Sequence, residues 1–514
     1  MAVPTDPAIE EEEEHGGPTH HPSAPLDESF DISTTVDPSY IISLIRKLLP
    51  SGFDSQSAPN GKLSASNEEE GAPVSAANDN DHEHVNSSGY KSENMDVDGS
   101  SEVFHKQGEC DGTSNAGKEQ DWEEYGCVLW DLAANTTHAE LMVENLILDV
   151  LLANLIVCKS PRVTEISLGI IGNLACHEIP MKRIVSTNGL IEIIVDKLFM
   201  DDPQCLCEIC RLLAAGLQSG ESVAWAEALQ SEHTLCQILW IAENTLNLQL
   251  TEKSIGLILA ILESQQKVVD ALLPPIMKLG LPSILINLLA FEMSKLMSER
   301  IPERYSILDL ILRAIEALSV IDDHSQEICS SKELFQLVCD LIKFPDKVEV
   351  GNCCVTAAIL IANILSEVAD HASEISQDLG LLSGVLDIFP FASDDLEARN
   401  ALWNVIARIL VRIPETEISP SSLYHYVSVL VNKTDVIEDE LLNQQLVYSS
   451  RDREGVSSPA STVGATNTSL KKMISILNQW TDAKENAENK LEADDIINEK
   501  DVKRLLDCCH KFYK

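Results

Sequence analysis

The chain has 514 residues and is strongly acidic, with 82 Asp and Glu against 37 Lys and Arg and a formal charge of −45. A field of that sign repels phosphate backbones, which argues against direct DNA or RNA binding over a broad surface and suits basic partners better. The opening stretch MAVPTDPAIEEEEEHGGPTHH lacks the charged-then-apolar pattern of a secretory signal, and the apolar run LMVENLILDVLLANLIV carries Glu144, Asn145, Asp149 and Asn154 at helical intervals, unlike a membrane span.

In chain order, residues 1–120 come first as an acidic arm, with 24 Asp and Glu against 6 Lys and Arg and many Ser, Gly, Asn and Pro. Such a segment cannot bury enough apolar surface to offset chain entropy, so disorder is expected. One island interrupts it, DPSYIISLIRKLLPS. Asp37 can cap, Pro38 suits a first helical turn, and Ile41, Leu44, Ile45 and Leu48 share a face, which predicts a short helix near 38–49. It would either dock on its own scaffold or enter a partner's groove.

From 121 to about 440 the texture changes to long apolar runs broken by short polar turns. Leu132 and Ala133 match Leu174 and Ala175 at an offset of 42 residues, and Ser160–Pro161 matches Asp202–Pro203 at the same offset. In both pairs a side-chain oxygen precedes proline, an N-cap followed by a first-turn residue. Weaker copies follow, and Gly189, Gly280 and Gly380 fall at similar points of their units, where a left-handed residue would end one helix before the next. Helical units of this length stack into armadillo/HEAT-like repeats, and the expected fold is an all-α, right-handed superhelical solenoid. Residues 441–469 read as a flexible Ser/Thr-rich loop, with Ser458–Pro459 a candidate phosphorylation site. Residues 470–514 read as helices that would cap the last repeat.

Within the repeats Asp131, Asn173, Asn363 and Asn404 occupy one recurring place ahead of an apolar pair. An amide buried without a partner costs about 1–3 kcal/mol, so its recurrence calls for a hydrogen-bond partner. Two remain open: a neighbouring repeat, or an extended peptide in the groove. The segments ILIANIL and GIIGNLAC resemble the inner helix of armadillo repeats, whose Asn ladder binds extended peptides. In the armadillo carriers of nuclear-import signals a Trp stands four residues before the Asn. This chain has Cys127, Gly169, Ile359 and Asn400 there, which argues against binding import signals by that mechanism.

A more specific likeness covers Ser160 to about Ser264. The stretches SPRVTEISLGIIGNLAC, DDPQ, EICRLLAAGLQSGES and WAEALQSEHTLCQILWIAENT together resemble the serum amyloid A-like (SAAL) family, as does GCVLWDLA. The resemblance implies an armadillo-type, intracellular and mainly nuclear protein without known enzymatic activity, linked to cell proliferation.

No constellation suggests chemistry. Cys205, Cys207 and Cys210 in CLCEIC would point to different faces of a helix with no second ligand pair nearby, so neither metal nor cofactor is expected. His138, Asp323, His324 and the scattered serines form no nucleophile–base spacing, and GLQSGES lacks the lysine of a phosphate loop. The fourteen cysteines sit mostly in apolar helical runs, which fits a reducing home in the nucleus and/or cytoplasm. The expected function is therefore a non-enzymatic protein–protein interaction scaffold, away from membranes and nucleic acid, whose partner is a basic or extended peptide segment. The alternative is a transport adaptor or histone-type chaperone whose acidic arm carries basic cargo.

Overall fold

The computed structural model describes residues 36–50, 113–322, 324–414, 418–454, 460–486 and 497–513, with backbone alone at 113–118, 447–454, 460–463 and 486. The disorder expected of the arm at 1–35 and 51–112, the Ser458–Pro459 pair and Asp323 lie outside these residues. Among the described residues the secondary structure is helical, with no strand.

The first helices are α1 (Pro38–Lys47) and α2 (Thr113–Leu132). Next come α3 (Thr136–Glu144), α4 (Ile147–Val157) and α5 (Pro161–Leu174), then α6 (Glu178–Ser186), α7 (Leu190–Asp196) and α8 (Pro203–Leu217). The pattern of three continues with α9 (Ser222–Leu229), α10 (Glu232–Asn244) and α11 (Leu248–Leu262), and with α12 (Gln266–Lys278), α13 (Leu281–Ser298) and α14 (Tyr305–Ser319). It is completed by α15 (Ser325–Cys329), α16 (Lys332–Ile342) and α17 (Gly351–Glu367), and by α18 (His371–Ile375), α19 (Leu379–Leu386) and α20 (Leu396–Val411). Beyond them are α21 (Pro420–Asn432), α22 (Thr434–Glu454), α23 (Ala460–Asn486) and α24 (Glu499–Phe512).

Third helices pack on third helices. One row runs α2, α5, α8, α11, α14, α17, α20 and α23. A second row runs from α4 through α7 and the turn after it to α10, α13, α16 and α19, with looser contact between neighbours. A stack packed more closely on one side curves toward that side, so the third helices line the inner face. Each unit buries apolar side chains against both neighbours, as Ile166, Leu168, Ile170 and Ile171 of α5 do, and the core is continuous.

Local sequence sets the helix ends. Asp202 caps α8, its Oδ1 accepting from the Cys205 N–H at 2.9 Å with Pro203 in the first turn. Ser160 stands in the same place before α5, but its hydroxyl makes no capping bond; its carbonyl instead accepts from the N–H and the Oγ1 of Thr164, both at 3.1 Å. Gly189 and Gly280 take left-handed φ of +78° and +93° ahead of α7 and α13. Gly380 departs from the expected pattern. It lies inside α19, where Asp378 supplies a side-chain cap to the Leu381 N–H at 2.9 Å and no left-handed step is needed.

Helix α1 takes the place of a second helix for α2. Asp37 caps it through the Ser39 N–H at 2.8 Å, and Ile41, Leu44, Ile45 and Leu48 are buried against α2 and α3. Its last turn is tied down twice, because the Leu48 carbonyl accepts from Trp122 Nε1 at 3.0 Å and Asn154 Nδ2 at 2.8 Å. At the other end the segment expected as a loop, 441–469, is helical over 441–454 and 460–469. Packing overrides its polar composition: α23 lays Leu470, Met473, Ile476 and Leu477 into the core beside α20, and Thr468 and Ser469 bond their own helix at the Gly464 and Ala465 carbonyls. Buried Arg399 of α20 meets Glu440 of α22 through Nε at 2.9 Å, and Trp403 Nε1 donates to the same carboxylate at 3.2 Å. Helix α24 then covers α21, α22 and α23 with Val502, Leu505, Cys508 and Cys509.

If α1 is an integral part of the first unit, Leu44→Ala costs about 2–5 kcal/mol of unfolding free energy, read by denaturant titration. Hydrogen exchange should then accelerate first in α2 and α3.

Candidate functional site

Along the inner row each third helix shows one polar stripe. In α5 the stripe holds Asn173, and its amide is already engaged. Nδ2 donates to the Trp130 carbonyl at 2.9 Å, near the end of α2, and Oδ1 accepts from Arg211 Nη1 of α8 at 3.2 Å. Arg211 also reaches the Gly169 carbonyl at 3.2 Å and is paired with Glu208 at 2.6 Å. One amide thus joins three successive inner helices. Asn363 behaves similarly, donating at 2.9 Å to Ser319 Oγ at the end of α14.

The other two expected members differ. Asp131 is exposed, Asn404 is half-buried, and neither makes a side-chain hydrogen bond among the described residues. One turn before Asn404, the Oδ1 of Asn400 is buried and without a partner. The four residues therefore share a row but not a role: Asn173 and Asn363 hold units together, whereas Asp131 and Asn404 leave hydrogen-bonding capacity on the inner face.

Gly169, four residues before Asn173, has a physical reason to be glycine. The Trp130 ring of α2 lies directly on it, and a Cβ there would run into the indole. The aromatic surface at this point of the face comes from the previous helix.

Two acids that the repeat pattern did not single out dominate the middle of the face. Asp309 and Glu316 sit seven residues apart on α14 with Arg313 between them, and Arg313 is engaged at 3.0 Å by Glu263, the residue that ends α11. Burial pushes the Asp309 carboxyl above its ordinary range, with Arg313 pulling it partly back. Burial also raises Glu316, helped by the nearby charges of Glu397 and Glu263 and opposed by Arg313. Neither acid has an ion pair among those of the described residues. The sequence signal was the spacing: acids two turns apart on one helical stripe share a face.

The cysteines of CLCEIC are packed into the core. Burial raises all three thiols, Cys207 to about 11 and Cys210 to about 12, and Cys205 donates its S–H to the Pro161 carbonyl at 3.2 Å. Among the described residues no group of three or more His, Cys, Asp or Glu could hold a metal ion. No single described helix is long and apolar enough to cross a membrane; α12 and α13 reach that length only as a pair bent by 75°.

No protein-family model matches the chain. It is 27% identical over 248 residues to protein saal1 of Danio rerio, covering 46% of this chain and 52% of that one. To protein SAAL1 of Homo sapiens it is 26% identical over 247 residues, covering 44% and 50%. The chain thus spans about half the length of the curated relatives it matches. Among solved structures, an engineered protein superposes with a TM-score of 0.47 at 15% identity, covering 76% of this chain and 85% of its own. A designed armadillo repeat protein gives a TM-score of 0.39 at 13% identity, covering 48% and 94%.

The division among the amides is testable by thermal and denaturant unfolding. Asn173→Ala should cost about 1–3 kcal/mol, because it strips partners from the Trp130 carbonyl and from Arg211. Asn404→Ala should leave stability unchanged or raise it by about half a kcal/mol, the helix propensity gain of alanine.

Proposed function

We propose that this SAAL-family, armadillo-type repeat protein is an interaction scaffold whose inner face holds an extended, basic segment of a partner protein. What supports the reading is the surplus of acid on α14: Asp309 and Glu316 stand half-buried with no ion pair among the described residues, and Glu316 also lies close to Glu397 of α20. A lysine or arginine laid there gains the interaction that desolvation has made strong and that Arg313 only partly supplies. Asn400 and Asn404, one turn apart on α20, would meet main-chain groups of the same segment. A reducing home in the nucleus and/or cytoplasm belongs to the proposal, in keeping with thirteen free described cysteines, nine of them buried.

The experiment is a titration of the full chain with a labelled peptide of alternating Lys and Arg. Asp309→Asn combined with Glu316→Gln should weaken binding about tenfold or more, the effect of losing roughly 1.4 kcal/mol, and should flatten its salt dependence. Unchanged affinity would remove the inner face from the function. Deleting residues 1–35 keeps α1 in place and should leave affinity intact; a loss there would favour the acidic arm as the cargo carrier.

The same substitutions should act on stability with the opposite sign. Both carboxyls are raised in the folded protein, so the fold binds their protons more tightly than the unfolded chain does. Their contribution is present at low pH and is lost as pH rises through the carboxylate range. At pH 7 the double variant should therefore melt above the parent, and that advantage should shrink as the solution is acidified.

A further inference from the structure

A row of exposed apolar residues crosses the outer side of the stack. Ile156 of α4 is 61% exposed, Phe199 just after α7 is 40%, Trp240 of α10 is 57% and Phe291 of α13 is 47%. The first three occupy matching places. Asp149, Glu192 and His233 each lie two helical turns before Ile156, Phe199 and Trp240 on the same outward stripe, and the second helices that carry the row are neighbours. On the next second helix, α16, the outward stripe is Glu333, Gln336 and Asp340, so the apolar row stops there. Single exposed apolar side chains are ordinary, but a run of them repeated from unit to unit marks a surface that is covered.

The spacing suggests what covers it. Helices packed side by side lie about 8–10 Å apart, close to the ~10.5 Å rise of seven residues along a helix. A helix laid across the units would therefore meet the row with apolar residues at every seventh position.

Charge narrows the occupant. Beside Phe199, between the α6–α7 and α9–α10 pairs, a cleft of about 770 Å³ is walled by Glu192, Asp196 and Glu227, with His233 stacked on Phe199 at 4.5 Å. None of the three acids has an ion pair among the described residues. A second copy of the chain would bring the same acids and a charge of −45, and the chain's own arm carries 24 acids against 6 bases. Neither complements the cleft. We infer that the outer face of α4, α7, α10 and α13 docks an amphipathic helix of a partner protein, with large apolar residues seven apart and Lys or Arg on the flank that faces the cleft.

The test uses a labelled synthetic helix of about 21 residues, three heptads, with leucines along one stripe and lysines on one flank. A control has the same composition with the leucines dispersed. Titrated against the full chain, the first peptide should bind saturably and the control should not. Trp240→Ala, and separately Glu192→Gln with Asp196→Asn, should each weaken binding tenfold or more, whereas inner-face Glu316→Gln should not. Trp240 is exposed, so circular dichroism should show an intact fold in its variant. Failure to saturate, equal binding of the control, or indifference to Trp240→Ala would overturn the proposal. So would a concentration-dependent dimer that Trp240→Ala abolishes in sedimentation, which assigns the row to a second copy. Tighter peptide binding after deletion of residues 1–35 would assign it to the arm and overturn the proposal too.

Discussion

The stack depends on what happens to the carbonyls at the end of each inner helix. A helix leaves its last C=O groups without intrahelical donors, and in a solenoid those ends lie partly buried against the next unit. The following inner helix answers with a side chain. Asn173 reaches the Trp130 carbonyl at the end of α2 and Arg408 the Leu365 carbonyl near the end of α17, while Ser264, just past α11, lies between its own Ala260 carbonyl and the Leu217 carbonyl at the end of α8. Lys472 of α23 does the same for the Ile413 carbonyl just beyond α20. The donor changes from amide to hydroxyl, guanidinium and ammonium, while the acceptor stays where helix geometry puts it. A recurring polar residue in a greasy helix end is, at these junctions, the donor that lets one unit stack on another.

This explains why the architecture was more legible than the site. The 42-residue offset, the Asp202–Pro203 start and the left-handed glycines 189 and 280 are local signals, and local chemistry is enough to produce them. The roles of Asn173 and Asn404 are not local. The two residues look alike in sequence, yet one faces a carbonyl and a guanidinium on neighbouring helices and the other faces the open groove. Asp309 and Glu316 carried a readable two-turn spacing, but their loss of hydration depends on how the neighbouring inner helices α11 and α17 crowd around α14. Residues 460–469 show the same limit in another form, since their Ser, Thr and Gly favour turns until Leu470 and Met473 find a core.

The two faces of the solenoid differ in chemistry. The inner one is polar, mostly self-paired at its N-terminal end and short of cations at α14. The outer one is apolar at α4, α7, α10 and α13 and becomes polar at α16. Partners of different shapes could therefore occupy one scaffold together, because an extended segment needs hydrogen-bonding groups and charge whereas a helix needs an apolar seam. A net charge of −45 would attract any basic chain at long range, and the reach of that attraction shrinks as salt rises.

Glycines pressed by a neighbour set the mechanics of this arrangement. The Trp130 ring rests on Gly169 and the Trp225 ring on Gly216, and farther along Phe391 meets Gly351 and the Ile342 carbonyl meets Gly384. At each of these points two helices have no slack, so sliding one along the other is opposed by hard contact. Elsewhere glycines carry no such load, since Gly189, Gly220, Gly256 and Gly280 have open space where a side chain would stand. The register of one unit on the next is therefore set like teeth in a gear, and the bend of the stack can change at the pressed glycines by tilting helices about the contacts rather than by sliding them.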